Sequence, residues 1–187
     1  MSYSNASPLE ILAFYKLGLL NASDIEPIFL GFLERNLGDY EVACLASEPT
    51  TSISYKRREI EAALKEVVGD ETLSELEALW LTMRYYLKRI VQSDGREHEL
   101  MHPIIKLVHG GYPALFERPE TNYACREYGI ERLYGVYYSR DDKRVLSRKI
   151  LRQLNAEIKT EAAIVLRKFY SSEAVLPSDL FRVQSRS

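Results

Sequence analysis

The sequence predicts an all-α fold, an irregular bundle of about seven or eight helices. Residues that typically start helices precede several segments, and apolar residues in those segments recur with the 3.6-residue period of a buried helix face. Turn residues are few, because the 187-residue chain contains only nine Gly and seven Pro. Its apolar share of 46% and charged share of 28% are those of an ordinary globular protein. A chain of this length can bury a core without disulfides or a structural metal.

The first two helices are predicted from their capping residues. Ser7, with Pro8 after it and Glu10 three residues later, has the pattern of a capping box with proline at the first helical position. Ser23 begins the same pattern, again with a glutamate three residues later. We therefore place the second helix after Ser23, with Pro27 in its first turn, where a missing N–H costs little.

Periodic apolar residues predict the remaining helices. These span about 40–47, 55–68, 72–92, 103–109, 119–139 and 142–170, and either Thr72 or Ser74 caps the helix at 72–92. The helix at 103–109 is predicted to start at Pro103, because the residue before a proline is driven away from the α conformation. Two glycines interrupt 119–139, and a short hairpin near 133–145 is the alternative there.

The chain is predicted to form a single helical domain over residues 1–171, followed by a flexible C-terminal tail over 172–187. Its most apolar N-terminal stretch is interrupted by Glu10 and Lys16, and no basic signal-peptide region precedes it. Two cysteines, Cys44 and Cys125, are too few for a secreted disulfide framework. We therefore expect a cytoplasmic protein without a membrane partner.

Charge is distributed unevenly along the chain. Residues 1–80 contain six Lys and Arg against fourteen Asp and Glu, whereas residues 81–187 contain nineteen against thirteen. An acidic cluster can attract a basic partner at long range. The alternative is that the two halves of the chain neutralise each other internally. The acidic residues that we expect to contact a partner are Glu59, Glu66, Asp70, Glu71 and Glu75.

Tyrosine is unusually frequent, with thirteen in the chain. Several crowd between residues 112 and 138, and Tyr134, Tyr137 and Tyr138 are the candidates for a partner contact. Tyrosine offers a large rigid contact area with a polar tip and is enriched at protein interfaces, although half-buried core packing is its more common use. A basic row on the last helix consists of Arg144, Arg148, Arg152 and Lys159. With a net charge of −2, this row is more typical of a solvated helix face than of a nucleic-acid site.

One motif indicates a different chemistry. His98, Glu99 and His102 match HExxH, in which two imidazoles one helical turn apart bind Zn²⁺ and the glutamate activates the metal-bound water. The match resembles the signature of the zincin metalloproteases. Two positions depart from that family's wider pattern, because Pro103 follows the second histidine and Arg96 stands where the family has an uncharged residue.

We predict that His98 and His102 do not share a helical face, because Pro103 restricts the backbone at His102. If a metal does bind, the candidate ligands are these two histidines and His109. A further ligand would come from the next helix, at Glu127 or Glu131. Otherwise no metal and no cofactor is expected.

The leading interpretation of the sequence is a non-catalytic, cytoplasmic protein-binding module whose partner has a basic surface. Bacterial immunity proteins, which neutralise a cognate toxin and often present an acidic surface to a basic nuclease, are one class of protein that works in this way. The alternative is a metal-dependent hydrolase that uses residues 98–102. Neither nucleic acid nor a membrane is expected as a partner.

Overall fold

The computed structural model describes residue 3 and residues 5–109, 129–139 and 147–170. Within these residues the chain forms eight α-helices and no β-strand, so the all-α prediction is confirmed for them. None of the helices in these ranges combines the length and the apolar character needed to cross a membrane. In chain order the helices are α1 (Pro8–Lys16), α2 (Ala22–Glu34), α3 (Tyr40–Ser47), α4 (Arg57–Val68), α5 (Glu75–Gln92), α6 (Glu97–His109), α7 (Glu131–Tyr138) and α8 (Arg148–Phe169).

The chain divides into two compact units, Met1–Thr82 and Met83–Ser187. The boundary lies within α5 and coincides with the change in charge along the sequence, because residues 81 and 82 are uncharged. The first unit contains six basic and fourteen acidic residues, and we call it the acidic unit. The second, with nineteen basic and thirteen acidic residues, is the basic unit. A single domain over 1–171 stays a prediction, and the tail at 172–187 lies outside the described residues.

The core of the acidic unit forms where α2 packs on α3, α3 on α4, and α1 on α4. Phe29 and Phe32 of α2 are fully buried and meet edge to face, with ring centroids 5.6 Å apart. Each such large apolar side chain stabilises the fold by roughly 1.5–3 kcal/mol relative to leaving it in water. Other fully buried side chains of this unit are Ile11, Phe14, Ile25, Ile60 and Ala63.

Capping boxes start the first two helices of this unit. The predicted box at α1 is confirmed: the Ser7 backbone N–H donates to the Glu10 carboxylate at 2.8 Å, and the Glu10 N–H donates back to the Ser7 hydroxyl at 3.3 Å. At α2 the predicted start is two residues late. Asn21 is the N-cap there, and its backbone and side-chain amides both donate to the Asp24 carboxylate, at 2.8 and 3.2 Å. Asparagine caps a helix as well as serine does, so the helix can start two residues earlier than predicted. This earlier start places Pro27 in the second turn rather than in the first.

The structure contradicts the prediction that Pro103 starts its helix. α6 runs without a break from Glu97 to His109, with Pro103 inside it. A proline in a helix interior costs about 3 kcal/mol. The unbroken helix buries Leu100 and Met101 before the proline as well as the apolar residues after it. Burial of these two side chains, at roughly 1.5–3 kcal/mol each, offsets the loss.

The alternative of a hairpin near 133–145 is wrong for residues 133–138, which form most of α7. Leu133 and Tyr137 are both buried and lie one helical turn apart on α7. Residues 140–146 lie outside the described residues.

In the basic unit, α8 packs against α6 and α7, and α6 packs against α7. α8 begins at Arg148, later than the predicted 142, because the Ser147 hydroxyl caps it by accepting from the N–H of Ile150 at 3.4 Å. Two of its side chains also hold the loop between α5 and α6. Asn155 donates to the Gly95 carbonyl at 3.0 Å, and Lys159 donates to the Ser93 carbonyl at 2.7 Å.

Candidate functional site

An open groove in the acidic unit contains two of the predicted partner-binding residues. It lies between α1, α4 and the segment after α4, and its volume is about 230 Å³. Leu12, Leu64 and Val68 supply its apolar surface. Gly69, with a φ of 72°, ends α4 in the left-handed region that glycine adopts most easily, and the chain then continues into the groove-lining residues Asp70 and Glu71. We call this feature the acidic groove; its polar lining residues are Tyr15, Glu61, Lys65, Asp70, Glu71 and Thr72.

Two hydrogen-bonded pairs fix part of this groove. The Tyr15 hydroxyl donates to the Glu61 carboxylate at 3.1 Å. Burial, together with this hydrogen bond and the charge of Glu61, raises the pKa of Tyr15 to about 12. Lys65 and Asp70 form an ion pair at 2.6 Å, and the hydrogen bond from Lys65 lowers the pKa of Asp70. Both members of that pair are largely exposed, so it contributes little to stability.

Glu71 and Glu75 differ from these paired carboxylates. Neither forms a hydrogen bond or an ion pair with any residue in the described part of the chain. Glu71 is exposed and lines the acidic groove, and Glu75 is the first residue of α5. Glu59, in the first turn of α4, is also exposed. Among the described residues, these three are the predicted carboxylates that form neither a hydrogen bond nor an ion pair.

Glu66, in contrast, has an internal role. Its carboxylate accepts the backbone N–H groups of Asp39, Glu41 and Val42 at 3.0, 3.1 and 3.2 Å. Those groups belong to the N-terminus of α3, whose own N-cap, Asp39, forms no side-chain capping bond. Partial burial acts to raise the pKa of Glu66, but these backbone donors together lower it. Glu66 therefore caps α3 from a neighbouring helix.

The sequence did not single out the most exposed aromatic residues of the described chain. Tyr40 is 74% exposed and Tyr55 is 85% exposed, and both belong to the acidic unit. Each lies next to a helix start, Tyr40 as the first residue of α3 and Tyr55 two residues before α4. The helical period could have indicated Tyr40, because this residue falls on the face of α3 opposite the buried Val42 and Leu45. No pattern indicates Tyr55.

The predicted tyrosines of the basic unit contact the three histidines instead. The His98 ring stacks on Tyr137 at 4.5 Å with an interplanar angle of 12°, and both residues are buried. His109 Nε2 lies 3.1 Å from the hydroxyl of Tyr134 and 3.3 Å from that of Tyr138. Tyr134, Tyr137 and Tyr138 therefore contact the histidines of α6 with part of their surface.

The prediction that His98 and His102 lie on different faces is wrong. They are one turn apart in the unbroken α6, with ring centroids 5.5 Å apart, because the burial of this helix outweighs the restriction from Pro103. Their surroundings are nevertheless aromatic, since His102 also meets the ring of Tyr137 at 5.8 Å. Glu99 forms an ion pair with Arg96 at 2.9 Å.

The described residues contain no group of three or more His, Cys, Asp or Glu side chains that could hold a metal ion. Glu131, one of the two candidates for a further ligand, is exposed at the start of α7. Glu127, the other, and Cys125 lie outside the described residues. Within the basic row of α8, Arg148 and Arg152 are exposed, Lys159 bonds to the loop at Ser93, and Arg144 lies outside the described residues.

No significant similarity links the chain to a protein-family model, to a curated protein or to a solved structure.

Proposed function

We propose that the chain is a non-catalytic protein-binding module, acting in the cytoplasm, whose acidic unit binds a partner protein with a basic surface. A bacterial immunity protein that neutralises a basic toxin is the specific form of this function that we favour. The observation that carries the proposal is a set of carboxylates in the acidic unit that form no hydrogen bond or ion pair with the described residues: exposed Glu71 in the acidic groove, exposed Glu59 and half-buried Glu75.

The basic residues of the acidic unit support this interpretation, because several already have other contacts. Arg35 donates to the carbonyls of Gly31 and Ala6 at 2.9 and 3.0 Å. Lys56 pairs with Glu48 at 2.9 Å, and Lys65 pairs with Asp70. The six basic residues of this unit are outnumbered by its fourteen acidic residues. The excess negative charges repel one another, and a basic partner would relieve that repulsion. Electrostatic attraction between the two proteins would also make their association faster.

The groove adds contact chemistry to the charge. The aliphatic part of a lysine or arginine side chain can pack on Leu12, Leu64 and Val68 while its charged end reaches Glu71. Exposed Tyr40 and Tyr55 offer aromatic contact area within the same unit. Protein interfaces commonly combine an apolar centre of this kind with a polar rim.

The proposal is tested by comparing two charge-reversed variants of the whole protein. The first carries Glu71→Lys and Glu75→Lys. The control carries Glu26→Lys and Glu34→Lys, which alter two exposed carboxylates of the same unit by the same total charge. Both variants are tagged and used with the wild type to recover interacting proteins from the native cell extract, followed by quantitative mass spectrometry. Circular dichroism establishes that each variant is folded.

We expect one basic protein to be recovered by the wild type and by the control, and to be strongly depleted with Glu71→Lys/Glu75→Lys. Equal recovery by both folded variants would contradict the proposal, as would a recovered partner with an acidic surface.

A further inference from the structure

A second pocket, in the basic unit, has a different chemistry. It lies between the later turns of α5 and the C-terminal half of α8, and its volume is about 440 Å³. The lining residues are Arg84, Lys88, Val91, Ala163, Leu166, Arg167 and Tyr170. The spacings of three, four and seven residues within each group place one face of each helix toward the pocket. We call this feature the cationic pocket.

The charged residues in the described lining of this pocket are all basic. Arg84, Lys88 and Arg167 line the pocket, and no carboxylate among the described residues does so. Arg84 is only 7% exposed, so part of the positive charge is held within the protein rather than at the end of a solvated side chain. A guanidinium group is a cation that offers paired N–H donors, and these match the oxygen atoms of a phosphate.

The other described residues of the lining are largely apolar. Tyr170 is almost completely buried, and Val91 and Leu166 are half-buried, so each presents apolar surface there. Ala163 is exposed and leaves space beside them. A volume of this size lies within the range of pockets that bind small organic molecules. The pocket therefore combines an anion-binding end with a surface for an apolar body.

We propose that the cationic pocket binds a small organic phosphate monoester that carries an aromatic or other apolar group. The two negative charges of a phosphate monoester match the cations Lys88 and Arg167 better than the single charge of a carboxylate does. The apolar wall adds selectivity over inorganic phosphate. This site lies in the basic unit and does not depend on the proposed function of the acidic unit.

The test uses isothermal titration calorimetry of the full chain with 2-naphthyl phosphate, and with 2-naphthol and inorganic phosphate as the two partial ligands. We expect 2-naphthyl phosphate to bind at a single site and each partial ligand to bind at least about tenfold more weakly, since each lacks one half of the interaction. Binding of inorganic phosphate as tight as that of 2-naphthyl phosphate would overturn the assignment of an organic ligand.

A matched pair of variants locates the site. Lys88→Gln with Arg167→Gln removes two accessible cations of the pocket, and Lys149→Gln with Arg152→Gln removes two exposed cations of α8 outside it. The first variant should raise the dissociation constant for 2-naphthyl phosphate by about tenfold or more, because charge-assisted hydrogen bonds contribute that much affinity. The second should change it less than about twofold, as expected for exposed charges outside a site. Equal effects of the two variants would overturn the assignment.

A third variant tests the pocket by filling it. Ala163→Glu places a carboxylate in the pocket with Lys88 and Arg167, at an exposed helical position that tolerates glutamate. The added charge should abolish binding of 2-naphthyl phosphate, whereas Ala156→Glu, at another exposed alanine of α8, should leave binding unchanged. Retained binding in folded Ala163→Glu protein would contradict the proposal.

Discussion

At the scale of single residues, identical side chains in the acidic unit have different roles. Glu66 caps α3 across helices by accepting three backbone N–H groups, and Glu61 holds the Tyr15 hydroxyl. Glu71 forms neither a hydrogen bond nor an ion pair within the described residues. A count of charges cannot separate these roles, because they depend on which backbone or side-chain donors the fold brings near each carboxylate.

The capping role of Glu66 predicts a loss of stability on its removal. Glu66→Ala leaves the N–H groups of Asp39, Glu41 and Val42 without this acceptor. We expect the free energy of unfolding to fall by about 1 kcal/mol, the usual effect of losing an N-cap. Urea denaturation at pH 7 measures the change, with Glu71→Ala as the control that should have almost no effect. Equal stabilities for the two variants would refute the capping role.

The same interaction predicts a pH dependence. The pKa of Glu66 in the folded protein is lowered from its ordinary value of 4.5, so its carboxylate stabilises the fold above that value and loses this effect as the pH falls through the folded pKa. The stability difference between wild type and Glu66→Ala should therefore be constant near neutral pH and disappear under more acidic conditions. A difference that persists unchanged at pH 2 would show that the charged carboxylate is not responsible.

Tyr15 predicts an effect at the opposite end of the pH scale. Its pKa is raised from 10.0 to about 12, so the neutral hydroxyl is favoured in the folded state. The associated stability is present below pH 10 and is lost as the pH rises toward 12. We expect Tyr15→Phe to lose less stability over that interval than the wild type does. Thermal unfolding at pH 9, 10 and 11 provides the comparison, and parallel losses in the two proteins would contradict the raised pKa.

At the scale of helices, α6 shows how burial overrides a local preference. Pro103 has no N–H to donate to the Glu99 carbonyl, and it disfavours the helical conformation of His102. Glu99 is exposed, so water can reach the vicinity of the unpaired carbonyl. Leu100 and Met101 before the proline, and Ile104 after it, are buried by the unbroken helix.

Replacement of this proline should therefore stabilise the protein. Pro103→Ala supplies the missing hydrogen bond but also increases the conformational freedom of the unfolded chain, so the expected net gain is about 1–2 kcal/mol. The control is Pro8→Ala, at the first position of α1, where proline is well suited and its loss should bring no gain. Urea denaturation of both variants measures the effect. A destabilised Pro103→Ala would mean that the proline ring itself is needed in α6.

The sequence predicted helices well where the signals were local. The Ser7 and Glu10 box and the start of α5 after Ser74 both depend on residues within one turn of the helix end. The start of α6 was predicted wrongly because its position depends on the burial of side chains against distant parts of the chain. A local rule for proline does not take that burial into account. The capping of α3 by Glu66 was missed for the same reason, since its partners lie more than twenty residues away in the sequence.

At the scale of the whole molecule, the chain consists of two compact units with opposite net charge. The sequence alone indicated the change of charge near residue 80, and the structure places the boundary of the units at Thr82. The acidic groove and the cationic pocket could not be predicted, because each combines side chains from helices that are distant in the sequence. The two charged regions are therefore separate candidates for binding, the acidic one for a protein and the basic one for a small phosphate ester.

The central claim, that the carboxylates Glu59, Glu71 and Glu75 of the acidic unit attract a basic partner, is tested most directly by the association rate at different ionic strengths. The purified partner recovered with the wild type is mixed with wild type, Glu71→Lys/Glu75→Lys or Glu26→Lys/Glu34→Lys in a stopped-flow instrument, from about 20 to 500 mM salt, a range over which screening becomes strong. We predict that the rate constant for wild type and control falls steeply with added salt, and that the Glu71→Lys/Glu75→Lys variant associates slowly at low salt with a much weaker salt dependence. The same rate and the same salt dependence for all three folded proteins would contradict the claim.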